Sequence, residues 1–126
     1  VDIELSVEKG KLDIAVITLR GYARTEDVAT LRGILDSVEE SKVHRVVINL
    51  RETTHLPSPM FGLLVSYATN KNSMESNKSV ALCCISPSIA TVMSLLDVGR
   101  YFLIFEDLSS ALSAFGGGKF ETYTRG

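Results

Sequence analysis

Val46-Val47-Ile48-Asn49-Leu50, followed after a short polar run by Leu56-Pro57-Ser58-Pro59-Met60-Phe61-Gly62-Leu63-Leu64-Val65, decides how this chain reads. The first segment is near-continuously apolar, as in a strand buried on both faces of a parallel sheet. The second opens with Ser-Pro, a helix-start signal. A serine at the N-cap accepts a hydrogen bond from a free first-turn N–H, and proline suits the position after it. The pair therefore reads as a buried strand running through the loop Arg51 to Pro59 into a helix of about residues 59–70, with Ser58 exposed at its mouth. As a plain cap Ser58 is worth about 1 kcal/mol. As a phosphate acceptor it would place roughly −1.5 to −2 charges at the positive end of a helix dipole.

The flanking sequence builds on that pair. Ile3, Leu5 and Val7 alternate with polar residues as a half-buried strand does. Lys9-Gly10-Lys11 is a turn signal, and Leu12, Ile14, Val16, Ile17 and Leu19 supply a second strand that so short a link forces antiparallel. Gly21 ends it. Thr25 is placed to cap a helix in which Val28, Leu31, Ile34, Leu35 and Val38 form one apolar face. Gly33 either weakens this helix or lets it approach the sheet closely. Residues 70–78 are polar and read as a loop. Val80 to Ile85 is another buried strand, and Ser86-Pro87 repeats the cap-then-proline signal before a helix with Ile89, Val92, Met93 and Leu96 inward, stopped by Gly99. Tyr101 to Phe105 is a last strand. Asp107 caps a final helix that buries Leu108, Ala111, Leu112 and Phe115.

The element order is β-β-α-β-α-β-α-β-α. It predicts an α/β fold: a mixed, mostly parallel sheet of about five strands with an N-terminal antiparallel hairpin and about four helices. The expected organisation is one domain over residues 1–118 with a C-terminal tail, 119–126.

Composition narrows the function. The 126 residues are 45% hydrophobic and 22% charged with a net charge of −2, and no basic stripe interleaves with aromatics. Nucleic-acid binding through a phosphate-neutralising face is not expected. No apolar run approaches the roughly 20 residues of a membrane span. Cys83 and Cys84 are adjacent, and neighbours in an extended strand point to opposite faces, so an internal disulfide between them is not expected. Two free thiols fit the cytoplasm. His44 and His55 have no metal-ligand spacing with them, and neither metal nor cofactor is expected. His55 lies three residues before Ser58, a nucleophile–base spacing, yet no third group orients it, and the expectation is a non-enzymatic protein.

In order and spacing the chain resembles a STAS domain, above all the anti-sigma-factor antagonists. The resemblance runs from Ile3 to about Phe115. It rests on Leu19-x-Gly21, Val46 to Leu50, Ser58-x-x-x-Gly62-Leu63-Leu64, Ala81-Leu82-Cys83-Cys84-Ile85-Ser86-Pro87 and Leu95-Leu96-Asp97-Val98-Gly99. It implies regulation of transcription through contact with an anti-sigma factor or related serine kinase, with Ser58 at the phosphoacceptor position. It also implies departures from the family pattern. Pro57 stands where the motif has an acid, Met60 where it has glycine, and Arg24 where an acid follows the glycine of the second strand. These departures admit a passive docking domain, or an Arg24 that pairs with a phosphate on Ser58. The expected working surface is the loop Arg51 to Pro59, with His55 and at least one of Met60 and Phe61 exposed beside it. Two other readings stay open: a STAS subunit or homodimer in a stress-signalling or lipid-transport assembly, and a nucleotide or anion sensor at Arg24 and Ser58.

Overall fold

The computed structural model describes residues 1–10, 12–74 and 79–116, and the backbone only for 72–74. Strand β1 (Asp2–Glu8) pairs antiparallel with β2 (Ile14–Tyr22). Then follow α1 (Asp27–Glu40), β3 (Arg45–His55), α2 (Ser58–Met74), β4 (Val80–Cys83), α3 (Pro87–Leu96), a 3₁₀ turn at Gly99–Tyr101, β5 (Leu103–Phe105) and α4 (Leu108–Gly116). The sheet order is β1-β2-β3-β4-β5, parallel from β2 onward, so the expected architecture is observed. Because the order never reverses, right-handed crossovers put α1, α2 and α3 on one face. The main core lies beneath them, around Ile17, Leu19, Leu31, Leu35, Ile48, Leu50, Met60, Phe61, Leu64 and Leu82. α4 covers the other face with a smaller cluster of Ile14, Val16, Val47, Ala81, Cys83, Ala111 and Phe115.

Several boundaries differ from the sequence expectation, each for a tertiary reason. β3 does not stop at Leu50. It continues to His55 because β2 runs on beside it, pairing Arg20 with Glu52, Gly21 with Thr53 and Tyr22 with His55. Thr53 is buried there, and its hydroxyl donates to the Leu19 carbonyl at 2.7 Å. The expected loop Arg51 to Pro59 is therefore mostly strand. α2 extends past Asn70 to Met74, where Lys71 is buried against Glu39 of α1. β4 ends at Cys83 because Cys84 adopts left-handed backbone, φ 63°. β1 forms as expected but is not half-buried: it lies at the sheet edge, where of its residues only Ile3 is partly covered and Leu5 and Val7 are exposed, and Leu12 falls outside β2.

The helix ends also differ in part. Thr25 offers its carbonyl, not its hydroxyl, to the Val28 N–H, and no side chain caps α1. Gly33 is exposed with nothing near its missing side chain, so it serves no close packing. α3 buries Ile89 and Met93 but leaves Val92, Leu95 and Leu96 exposed. Its stop is Asp97 in left-handed backbone, with the Val98 N–H donating to the Met93 carbonyl, two residues before Gly99. The last strand is shorter than expected because Gly99–Tyr101 forms the 3₁₀ turn. Asp107 caps α4 as expected, its Oδ1 accepting the Ser110 N–H at 2.8 Å, and that bond holds its carboxyl below the usual range. The expected tail 119–126 and the domain end at 118 lie outside the described residues.

Candidate functional site

The carboxyl ends of β2 and β3 build a rim at one edge of the sheet. Gly21 has φ +99°, a left-handed value that favours glycine. The register shifts between Gly21 and Tyr22. The extra residue lies in β3, where Thr54 stands between Thr53 and His55, the partners of Gly21 and Tyr22, and such a bulge re-aims the side chain that follows it, here His55. Tyr22, 55% exposed, stacks on His55 with ring centroids 4.3 Å apart and planes 16° from parallel. The Arg24 guanidinium lies over the outer part of this stack, 5.7 Å from the Tyr22 centroid. The backbone fixes the arrangement: the Ala23 N–H donates to the His55 carbonyl at 3.0 Å, and the Arg24 N–H to Asp27 Oδ2 at 2.8 Å. That second bond is the main reason the Asp27 carboxyl sits below its ordinary range.

Three residues beyond His55 the chain enters α2. Pro57 is the N-cap, because its carbonyl accepts from the Met60 N–H at 2.9 Å and the Phe61 N–H at 3.4 Å. Ser58 is therefore the first helical residue rather than the cap. It is exposed, and its hydroxyl makes no hydrogen bond among the described residues. Ser86 shows the contrast: its backbone is extended, its Oγ accepts the Ile89 N–H at 3.3 Å, and Pro87 follows at the first helical position. The same Ser-Pro signal thus has two outcomes. Ser86→Ala should cost about 1 kcal/mol, whereas Ser58→Ala should stay within about 0.5 kcal/mol of the parent. Parallel urea titrations read the difference, and equal losses would restore Ser58 as a cap.

Met60 and Phe61 correct the expectation of an exposed anchor. They are 0% and 2% exposed. Adjacent helical residues stand 100° apart, yet Met60, Phe61, Leu63, Leu64, Ala68 and Lys71 all fall inside one buried arc about 160° wide. The exposed arc carries Ser58, Pro59, Gly62, Ser66 and Thr69. Leu56 and Phe61, at the positions of a hydrophobic staple, are both buried in the main core and fix the angle at which the chain enters α2.

Arg24 and His55 are thus brought together through Tyr22, a residue that no motif in the sequence marks. The available signal was an aromatic placed directly after the strand-ending Gly21. No hydrogen bond joins His55 to Ser58 among the described residues, so the nucleophile–base pairing has no geometric support. The described residues contain no group of three histidine, cysteine or carboxylate side chains placed to hold a metal. Among them no helix is long and apolar enough to cross a membrane.

No protein-family model matches the chain. Solved structures do. An anti-sigma-factor antagonist (STAS) domain protein from Planctomyces limnophilus superposes with a TM-score of 0.76 at 19% identity, covering 93% of this chain and 100% of that one. The anti-sigma factor antagonist SpoIIAA in its unphosphorylated form gives 0.70 at 16% identity, over 91% and 100% of the two chains. The Bacillus cell fate determinant SpoIIAA in its phosphorylated form gives 0.66 at 16% identity, over 89% and 99%. With its opening antiparallel pair, its unreversed strand order and its three crossover helices on one face, this chain has the STAS fold of the anti-sigma-factor antagonists.

Proposed function

We propose that the chain is a non-enzymatic regulatory domain that binds a protein partner, an anti-sigma factor or related serine kinase, through the rim formed by Tyr22, Arg24, His55 and Ser58. The observation that carries this reading is the exposed Tyr22–His55–Arg24 stack at the mouth of α2. Tyrosine and arginine are the side chains most often found anchoring protein interfaces, because each offers a large flat face with a polar end. Here the Tyr22 ring already stacks on His55 and the Arg24 guanidinium lies over Tyr22, so part of the side-chain ordering precedes docking.

Ser58 supplies the control in this reading. Its hydroxyl is exposed and makes no hydrogen bond among the described residues, so adding a phosphate breaks no cap seen there. A phosphate there would lie at the positive end of α2 and change the charge of the rim by roughly −1.5 to −2. SpoIIAA, which shares the fold, has both a phosphorylated and an unphosphorylated form. The setting this function implies is the cytoplasm.

Calorimetric titration against the cognate anti-sigma kinase tests the proposal. Wild type and Ser58→Ala should bind alike. Ser58→Asp and Tyr22→Ala should each weaken binding about tenfold or more, the equivalent of about 1.4 kcal/mol. Incubation with kinase and ATP should phosphorylate wild type and leave Ser58→Ala unmodified. Equal affinity for all four proteins would remove the rim as the contact.

A further inference from the structure

The two adjacent cysteines do not behave as neighbours in a strand. Leu82 belongs to the main core under the crossover helices, and Cys83 to the cluster under α4. Continued alternation would return Cys84 to the Leu82 side. Instead its left-handed backbone, φ 63°, turns the side chain back, and it packs against the same α4 cluster as Cys83. Both thiols are free, and both lie on the face that α4 covers. Cys83 is fully buried, with its Sγ 3.7 Å from Asn49 Oδ1, while Cys84 is partly open to solvent.

We propose that Cys83 and Cys84 form a modification site, a vicinal dithiol that closes reversibly to a disulfide on exposure to hydrogen peroxide. The accessible Cys84 reacts first: its thiolate attacks one peroxide oxygen, the O–O bond breaks, and the products are a sulfenic acid and, with a proton, one water. Cys83 then attacks the Cys84 sulfur and displaces the hydroxyl, which leaves as a second water with the Cys83 proton. In sum two thiols lose two electrons and two protons, and one peroxide becomes two waters. Burial, with the neighbouring Cys84 thiol second, pushes the Cys83 thiol up to about 12. The thiolate is the attacking species, so the second step is the slow one at neutral pH.

Geometry also makes the product labile. Consecutive Cα atoms are about 3.8 Å apart across a trans peptide. Ordinary disulfides span roughly 4.4–6.8 Å, and departures from that range strain the bond and ease its reduction. The ring would also pull on the Cys84 N–H, which donates to the Phe105 carbonyl at 3.3 Å and ties the end of β4 to β5.

The test treats the full chain with a peroxide series, then denatures and alkylates it. The expected product is monomeric, lighter by two hydrogens, with no alkylated thiol and with both cysteines linked inside one peptide. Dithiothreitol should restore two alkylatable thiols. In Cys84→Ser, whose substitution is at the partly exposed position, Cys83 should stay alkylatable through the same series. Three results would overturn the proposal: two alkylatable thiols at every peroxide concentration, a disulfide-linked dimer, or a sulfinic acid at Cys84 beside an intact Cys83.

Discussion

Phe61→Ala should lower the stability of the domain by about 3–5 kcal/mol, the usual loss for truncating a buried aromatic. Against a total of about 5–15 kcal/mol for a natural domain, that is a large share. It corresponds to a fall in Tm on the order of 10–20 °C for a chain of this size. The reason is position. Phe61 is 2% exposed and lies in the main core with Leu56, Leu64 and the strands beneath. Its removal leaves a cavity that neighbours on α2 cannot fill without moving the helix entry that Leu56 and Pro57 set. Phe61→Leu should cost appreciably less, since much of the volume is kept. Urea titration with an unchanged m value but a lowered midpoint would carry the result. An exposed partner anchor would show the reverse, a midpoint within about 0.5 kcal/mol of the parent and a lost interaction. That outcome would return Phe61 to the surface role its sequence position invites.

Phe61 also shows what the sequence could and could not disclose. The sheet was legible because it depends on local signals that agree: alternation in β1, the continuous apolar run of β3, and helices whose inward residues recur at three and four. Long-range matters were not legible. α2 is apolar nearly all round at its start, so hydropathy could not say which arc was buried, and only packing against the sheet chose Met60 and Phe61 together. The extent of β3 was hidden because Arg51 and Glu52 read as loop, whereas the length of β2 alongside determined where pairing ended. Ser58-Pro59 and Ser86-Pro87 are the same dipeptide, and the difference between them is backbone. Ser86 is extended and caps, while Pro57 takes the cap position one residue before Ser58. At the rim, Arg24 and His55 could be named from the chain, but their meeting required Tyr22 and the bulge at Thr54 of β3, a feature of pairing between strands.

Glu39→Ala should destabilise more than Lys71→Met, although both delete the same ion pair. Lys71 is 7% exposed, and its ammonium donates to Glu39 Oε1 at 2.6 Å, pinning α2 to α1. The Tyr67 hydroxyl donates to the same oxygen at 2.9 Å. Removing Glu39 strands a buried ammonium and a half-buried hydroxyl. Breaking a fully buried pair this way costs about 3–5 kcal/mol. The Glu39 carboxylate is 47% exposed, and water competes for it, so about 1–3 kcal/mol is the appropriate range here. Lys71→Met instead leaves a carboxylate that water can reach and that still accepts from Tyr67, and methionine fills the apolar arc that the lysine stem occupied. Its cost should be under about 1 kcal/mol. The pair also carries a pH signature. Lys71 first, then Tyr67, holds the Glu39 carboxyl below its ordinary 4.5. A carboxyl lowered on folding stabilises the native state above its unfolded value, and that contribution is lost as pH falls from about 4.5 through the folded value. Glu39→Gln should flatten that part of the acid limb. Tyr67 acts at the other end: burial, then Glu39, raises its hydroxyl above the ordinary 10.0, so stability should fall as pH climbs past that value. Thermal melts of the parent, Glu39→Ala, Glu39→Gln and Lys71→Met across the acid limb separate these effects, and equal losses for Glu39→Ala and Lys71→Met would mean that the lysine is not held in a dry site.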